Sequence, residues 1–156
     1  MSTETAGRRD DGELGRWVGF RVAEQSYALD ILHVQEVLEG AQIEPVPGAP
    51  PAVLGVINLR GRIVTVIDPR RCLGFDGAAA HDHCAVVVAD SGGETLGLRV
   101  DGVAEVYRVA EAAIKPAPPT QGRNSNPLVR GIVSRAGLLL TLLDAERLAE
   151  AAAAAT

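Results

Sequence analysis

Gly55-Val-Ile-Asn-Leu-Arg60-Gly61-Arg-Ile-Val-Thr65-Val-Ile-Asp68 is answered later in the chain by Gly131-Ile-Val-Ser-Arg-Ala136-Gly137-Leu-Leu-Leu-Thr141-Leu-Leu-Asp144, each matched residue lying 76 positions on. One β-hairpin followed by a helix start is written twice. The runs are rich in Val, Ile and Leu with apolar residues on both faces, which describes strands buried on at least one side, and Gly61 and Gly137 supply the positive φ of a tight turn. Asp68 and Pro69 then read as helix N-cap and first helical residue, with Arg70 to Leu73 as one or two turns and Gly74 as the stop. Asp144 caps a longer alanine-rich run, Ala145 to Ala155. The repeat acts as an internal control: residues kept in both copies are demanded by the fold, and residues that differ are free to serve something else. Arg60 is matched by Ala136, and Asn58 by Ser134.

A weaker echo precedes each hairpin. Ile31, Val34, Glu36 and Val37 recur as Val100, Val103, Glu105 and Val106 at an offset of 69, each set following an extended segment, Tyr27 to Leu29 and Leu96 to Leu98. The growth of the offset places an insertion in the second copy, where Lys115 to Pro119 and Asn124 to Pro127 read as an irregular loop. Each copy is therefore ordered strand, strand, a short turn ending in Glu-Val, hairpin, cap. Many short strands punctuated by Gly and Pro suggest small closed barrels, giving an all-β fold of two subdomains with short helices and a C-terminal helix. The first module spans about 17–74 and the second about 84–149 within a domain of 16–149, with 1–15 as a flexible leader and 150–156 as an alanine-rich tail. Halves this small bury too little surface alone, so the two modules should share a core. Repetition leaves open the exchange of strands between them.

Composition narrows the function classes. The formal net charge of −5 and only five aromatic residues argue against a nucleic-acid surface, which wants a basic stripe and stacking rings. No apolar run reaches the roughly eighteen residues of a membrane helix, and residues 1–16 lack a signal peptide's apolar centre. The expectation is a cytoplasmic protein with no direct membrane insertion. Cys72 and Cys84 have no C-x-x-C spacing and read as reduced and structural.

Catalytic chemistry has little support. His81, His83 and Cys84 could in principle hold zinc, but ligands so close in sequence need a distant second pair, and the remaining His33 is isolated. A polar loop leading into a strand is the plainer reading, with a metal-dependent enzyme as a remote alternative. There is no nucleophile elbow, phosphate-cradling glycine loop or placed acid pair. The expectation is a protein that recognises surfaces, with no catalytic residue, cofactor or metal.

The string Val53-Leu-Gly-Val-Ile-Asn-Leu-Arg-Gly61, preceded by Asp30-Ile-Leu-His-Val-Gln-Glu-Val37 and Pro45-Val-Pro-Gly-Ala-Pro50 and followed by Gly97-Leu-Arg-Val-Asp-Gly-Val103, resembles the CheW family in order and spacing from about Trp17 to Leu148. The resemblance implies two SH3-like five-stranded barrels around a shared core. It also implies a non-catalytic adaptor that couples the cytoplasmic tips of methyl-accepting chemoreceptors to the histidine kinase CheA, through the kinase's regulatory domain. Other CheW-like subunits of receptor-array rings are further implied partners. An accessory scaffold of a different chemosensory or pilus system is the alternative, favoured only if the Asn58-to-Gly61 motif diverged.

Carried over residue by residue, the resemblance implies receptor and kinase coupling at Arg60 and Glu36, with Asn58, Val34 and Gly55 on the same segments. It implies a kinase-binding apolar strip at Val18, Ile31 and Val34. The residues themselves weigh unevenly. Ala136 shows that the turn does not require Arg60, and a guanidinium suits recognition because it is permanently charged and presents a planar fork. Glu105 repeats Glu36, so a structural role for that glutamate stands beside a functional one. An ion pair of Glu36 with Arg60 would aim the guanidinium at a partner. Val18, Ile31 and Val34 would by default be core, and form a strip only if exposed together.

Overall fold

Both quoted hairpins form, and the aspartate after each caps a helix. The computed structural model describes residues 14–73, 84–116, 128–135 and 137–155. Among them run β1 (Leu14–Val22), β2 (Gln25–Asp30), β3 (Val34–Glu39), β4 (Val53–Leu59), β5 (Arg62–Ile67), α1 (Pro69–Cys72), β6 (Ala85–Ser91), β7 (Glu94–Val100), β8 (Gly102–Ala110), β9 (Val129–Arg135), β10 (Leu138–Leu143) and α2 (Ala145–Ala155). The Asp68 carboxylate accepts from the Arg70 amide at 3.0 Å, and Asp144 from the Arg147 amide at 3.1 Å, so each satisfies a donor that its helix leaves unpaired. Glu36 and Val37 lie inside β3, preceded by a single 3-10 turn at Ile31–His33, and Glu105 and Val106 lie inside β8. This corrects the expected turn ending in Glu-Val: both pairs lie within strands.

The strands form two five-stranded sheets, ordered β8-β1-β2-β10-β9 and β3-β6-β7-β5-β4. With β1 to β5 matched to β6 to β10, the first order maps term by term onto the second. Each sheet therefore takes the leading two strands of one repeat and the last three of the other. The exchange is sealed by two equivalent parallel ladders, β2 with β10 and β5 with β7. Neither repeat holds a complete sheet of its own.

Alternation along the strands sorts the side chains into three apolar clusters. Trp17, Ala28, Val109, Val133, Leu140 and Leu142 come from all five strands of the first sheet, and the meeting of its outermost strands, β8 and β9, shows that it curls on itself. Ile57, Leu59, Val64, Val66, Val86 and Val88, with the partly buried Leu38, form the matching cluster of the second, drawn from β3, β4, β5 and β6. The opposite faces supply a larger shared core, including Phe20, Leu29, Ile67, Val87, Leu98 and Val100, with Leu143 at the end of β10 and Leu148 and Ala149 of α2. Full burial of each such side chain stabilises by about 1.5–3 kcal/mol. This two-sided demand explains why β6 carries apolar residues on both faces.

Gly74, His81 and His83, the leader through Glu13 and most of the 115–127 loop lie outside the described residues. So does Ala136. Cys72 and Cys84 are free thiols, each partly buried. Among the described residues no three of His, Cys, Asp and Glu cluster to hold a metal, and no helix is long and apolar enough to cross a membrane.

Candidate functional site

Arg60 and Gly61 form the two-residue turn between β4 and β5. Both have left-handed backbones, φ 53° and 87°, the pattern of a type I′ turn whose twist matches the flanking strands. The sequence reading assigned positive φ to Gly61 alone. A residue with a Cβ is disfavoured there, so Arg60 occupies a position the backbone would sooner give to Gly or Asn. Asn58 steadies it: its Oδ1 accepts from the Gly61 amide at 2.8 Å across the turn. Asn58 thus has a structural task that comparing it with Ser134 did not reveal.

Glu36 meets this turn from the other side of the sheet. Its carboxylate receives both terminal nitrogens of Arg60, Nη1 to Oε2 at 2.7 Å and Nη2 to Oε1 at 2.8 Å. Since β3 and β4 are the outermost strands of their sheet, this two-pronged ion pair joins the sheet's two edges. The hydrogen bond from Arg60 holds the Glu36 carboxyl below its ordinary pKa, and the same bond raises that of the guanidinium. The two partners are unequally accessible. The Arg60 side chain is 70% exposed and that of Glu36 25%, so the carboxylate backs the guanidinium and the guanidinium faces solvent. Two of its five donors are engaged, leaving the rest for an incoming carbonyl or carboxylate.

The remaining candidates separate into different environments. Gly55 is buried, with φ 156°, and a Cβ built there would lie 2.1 Å from the Glu44 carbonyl oxygen. It admits the close bridge of Glu44 to Val56, and Gly131 admits the equivalent bridge of Lys115 to Ile132. Val34 is partly buried against the shared core, and Ile31 is also partly buried. Val18 is only 7% exposed, set in β1 between Leu29 and Val106. Val18, Ile31 and Val34 therefore do not form an exposed strip together; β1 is buried on both faces around Val18.

Two exposed apolar side chains were passed over. Leu32, in the 3-10 turn before β3, is 70% exposed, and Ile63 is 67% exposed opposite Asn58 in the β4–β5 ladder. Ile63 was legible in part, because Leu139 repeats it and is also exposed. An apolar residue kept in both copies looked like core, and only the register shows that it faces out.

The comparisons with known proteins agree with this architecture. The family model for the CheW-like domain matches residues 16–153. The chemotaxis protein CheW of Rhizobium meliloti (strain 1021) is 31% identical over 127 residues, covering 81% of this chain and 82% of that protein. The protein of the same name from Klebsiella aerogenes is 32% identical over 129 residues, covering 83% and 78%. The crystal structure of the scaffolding protein TtCheW from Thermoanaerobacter tengcongensis superposes with a TM-score of 0.76 at 31% identity, over 84% of this chain and 89% of that one. On the repeated hairpin, the paired sheets and these matches, the chain belongs to the CheW-like domain family.

Proposed function

We infer that this chain is a non-catalytic chemotaxis coupling adaptor, joining the cytoplasmic tips of chemoreceptors to the histidine kinase CheA. Cytoplasmic residence, in receptor arrays reached through its partners, belongs to the same reading. The observation that carries the site assignment is the Glu36–Arg60 pair: a mostly exposed guanidinium, held in two places and fixed on a strained two-residue turn. Ordering a flexible arginine before a partner arrives lowers the entropy lost when it binds. In this reading Arg60 is the contact and Glu36 aims it. Asn58 secures the turn, Gly55 keeps β4 close to Glu44, and Val34 sets β3 on the core. The outward Ile63, paired with Asn58 at the base of the turn, offers apolar area beside the charged contact.

The alternative of an accessory scaffold in another sensory system is not favoured. The Asn58-to-Gly61 motif is intact, and the curated relatives quoted above carry the chemotaxis name. Reconstitution with receptor tips and CheA tests the proposal. The chain should raise receptor-dependent kinase activity, and Arg60→Ala should weaken that effect at an unchanged melting temperature. A variant that melts early in proportion to its lost coupling would count against a contact role for Arg60.

A further inference from the structure

The internal repeat also exposes a charge cluster on the other barrel, away from the ion pair. Arg16 on β1 and Arg108 on β8 are directly opposite each other in the antiparallel ladder, and both are exposed. Facing side chains on such a ladder start about 5 Å apart, and like charges placed so are destabilising. Arg135, at the end of β9, joins them. One of its terminal nitrogens donates to the Arg108 carbonyl, and its guanidinium lies 5.8 Å over the Tyr107 ring. None of these three arginines is ion-paired to a carboxylate among the described residues.

The second sheet shows that the fold does not ask for this. Position by position, Arg16 corresponds to Ala85, Arg108 to Glu39 and Arg135 to Leu59. Ala85 and Glu39 are themselves directly opposite in the β3–β6 ladder, so the equivalent site carries one negative charge and no repulsion. Leu59 is buried. Three positive charges have been gathered on one barrel of a chain whose net charge is −5, at positions its twin fills with alanine, glutamate and leucine.

We propose that Arg16, Arg108 and Arg135 form a docking patch for an acidic segment of a protein partner. Opposed guanidiniums present paired planar forks that fit carboxylates, as Arg60 already does with Glu36 in this molecule. Leu14 and Val106, each about half exposed, flank the arginines on the same two strands, so the segment would be partly apolar. A protein segment is favoured over an anionic membrane or nucleic acid by range. A short acidic peptide meets the patch within a Debye length, whereas an extended anionic surface also meets the field of the whole negatively charged chain.

The test is fluorescence anisotropy of a labelled hexaglutamate peptide titrated with the full chain at low salt. Binding should weaken by about tenfold or more in Arg108→Glu, equivalent to about 1.4 kcal/mol. Arg71→Glu, the same charge change at an exposed arginine elsewhere, should weaken it far less. Without peptide, Arg108→Glu should melt higher than the native chain, because it replaces a repulsive cross-strand pair by an attractive one. The proposal is overturned if the peptide does not bind, if both variants weaken binding equally, or if phosphatidylserine vesicles or a single-stranded oligonucleotide bind more tightly than the peptide.

Discussion

Replacing Gly55 by alanine should cost this protein much of its stability, for reasons the coordinates make specific. A Cβ there would sit 2.1 Å from the Glu44 carbonyl oxygen and 2.7 Å from its carbonyl carbon, and neither atom can swing aside like a side chain. Relieving the clash means parting the Glu44–Val56 bridge, whose two backbone hydrogen bonds are 2.8 and 2.9 Å long. Overpacking of this kind costs about 1–3 kcal/mol, and holding an L-residue at φ 156° adds about 1–3 kcal/mol. A loss of about 3 kcal/mol lowers the melting temperature of a chain this size by about 9 °C. Gly131→Ala should cost less, about 2 kcal/mol from overpacking alone, because its Cβ would meet the Ile114 Cγ2 methyl at 2.6 Å and the Lys115 carbonyl oxygen at 2.7 Å, farther than the 2.1 Å at Gly55, and no positive φ is involved. Gly61→Ala should cost least. It carries a left-handed φ of 87° but has no atom within 4 Å of the added methyl, leaving a conformational penalty of about 1 kcal/mol. Thermal and denaturant melts of the three variants give the order. The reasoning fails if Gly55→Ala melts with the native chain, or if Gly61→Ala proves the most damaging of the three.

Four further outcomes follow from the structure. The Glu36 carboxyl, held below its ordinary value of 4.5 by the Arg60 hydrogen bond, should titrate nearer that value in Arg60→Ala; NMR of the side-chain carboxyl carbon reads it, and an unmoved titration would dissolve the pair in solution. Because the folded-state pKa is depressed, the pair's contribution is present above the ordinary carboxylate pKa and fades only as pH falls through the lowered one, so melting between pH 6 and 8 should show no step from this group. Asn58→Ala removes the acceptor for the Gly61 amide and should cost about 1 kcal/mol, with coupling falling further than stability because the turn that presents Arg60 loosens. Burial, and secondarily the Asp68 charge, raises the Cys72 thiol pKa, so Cys72 should react with a thiol reagent at neutral pH well below the rate of a free cysteine; reaction at the free rate would place it in solvent.

Much of this fold was legible in the chain because a repeat carries its own comparison. The hairpin strands, the glycines and the two capping aspartates recur at one offset and serve the same ends in both copies. Strand exchange was not legible. A repeat fixes which strands correspond but not which copy each will pair with, and two equivalent parallel ladders decide that through contacts far apart in sequence. The site divided along similar lines. Arg60 stood out against Ala136, and its link to Glu36 followed from opposite charge and their shared place in the family resemblance, whereas Asn58 looked like a coupling residue without a part in the turn because Ser134 replaces it. Val18 shows the converse limit, since a valine in a strand has no face until the register is known.

The central claim is that Arg60 contacts a partner while Glu36 aims it. The direct test is the charge swap, Glu36→Arg with Arg60→Glu, assayed for receptor-dependent kinase activation beside each single variant. The swap keeps an internal ion pair across the same two edges but removes the outward guanidinium of the turn. The account predicts that it restores the melting behaviour of the native chain and leaves coupling as poor as Arg60→Ala. Recovery of coupling to the native level would contradict it, because the pair would then be only a brace between strands.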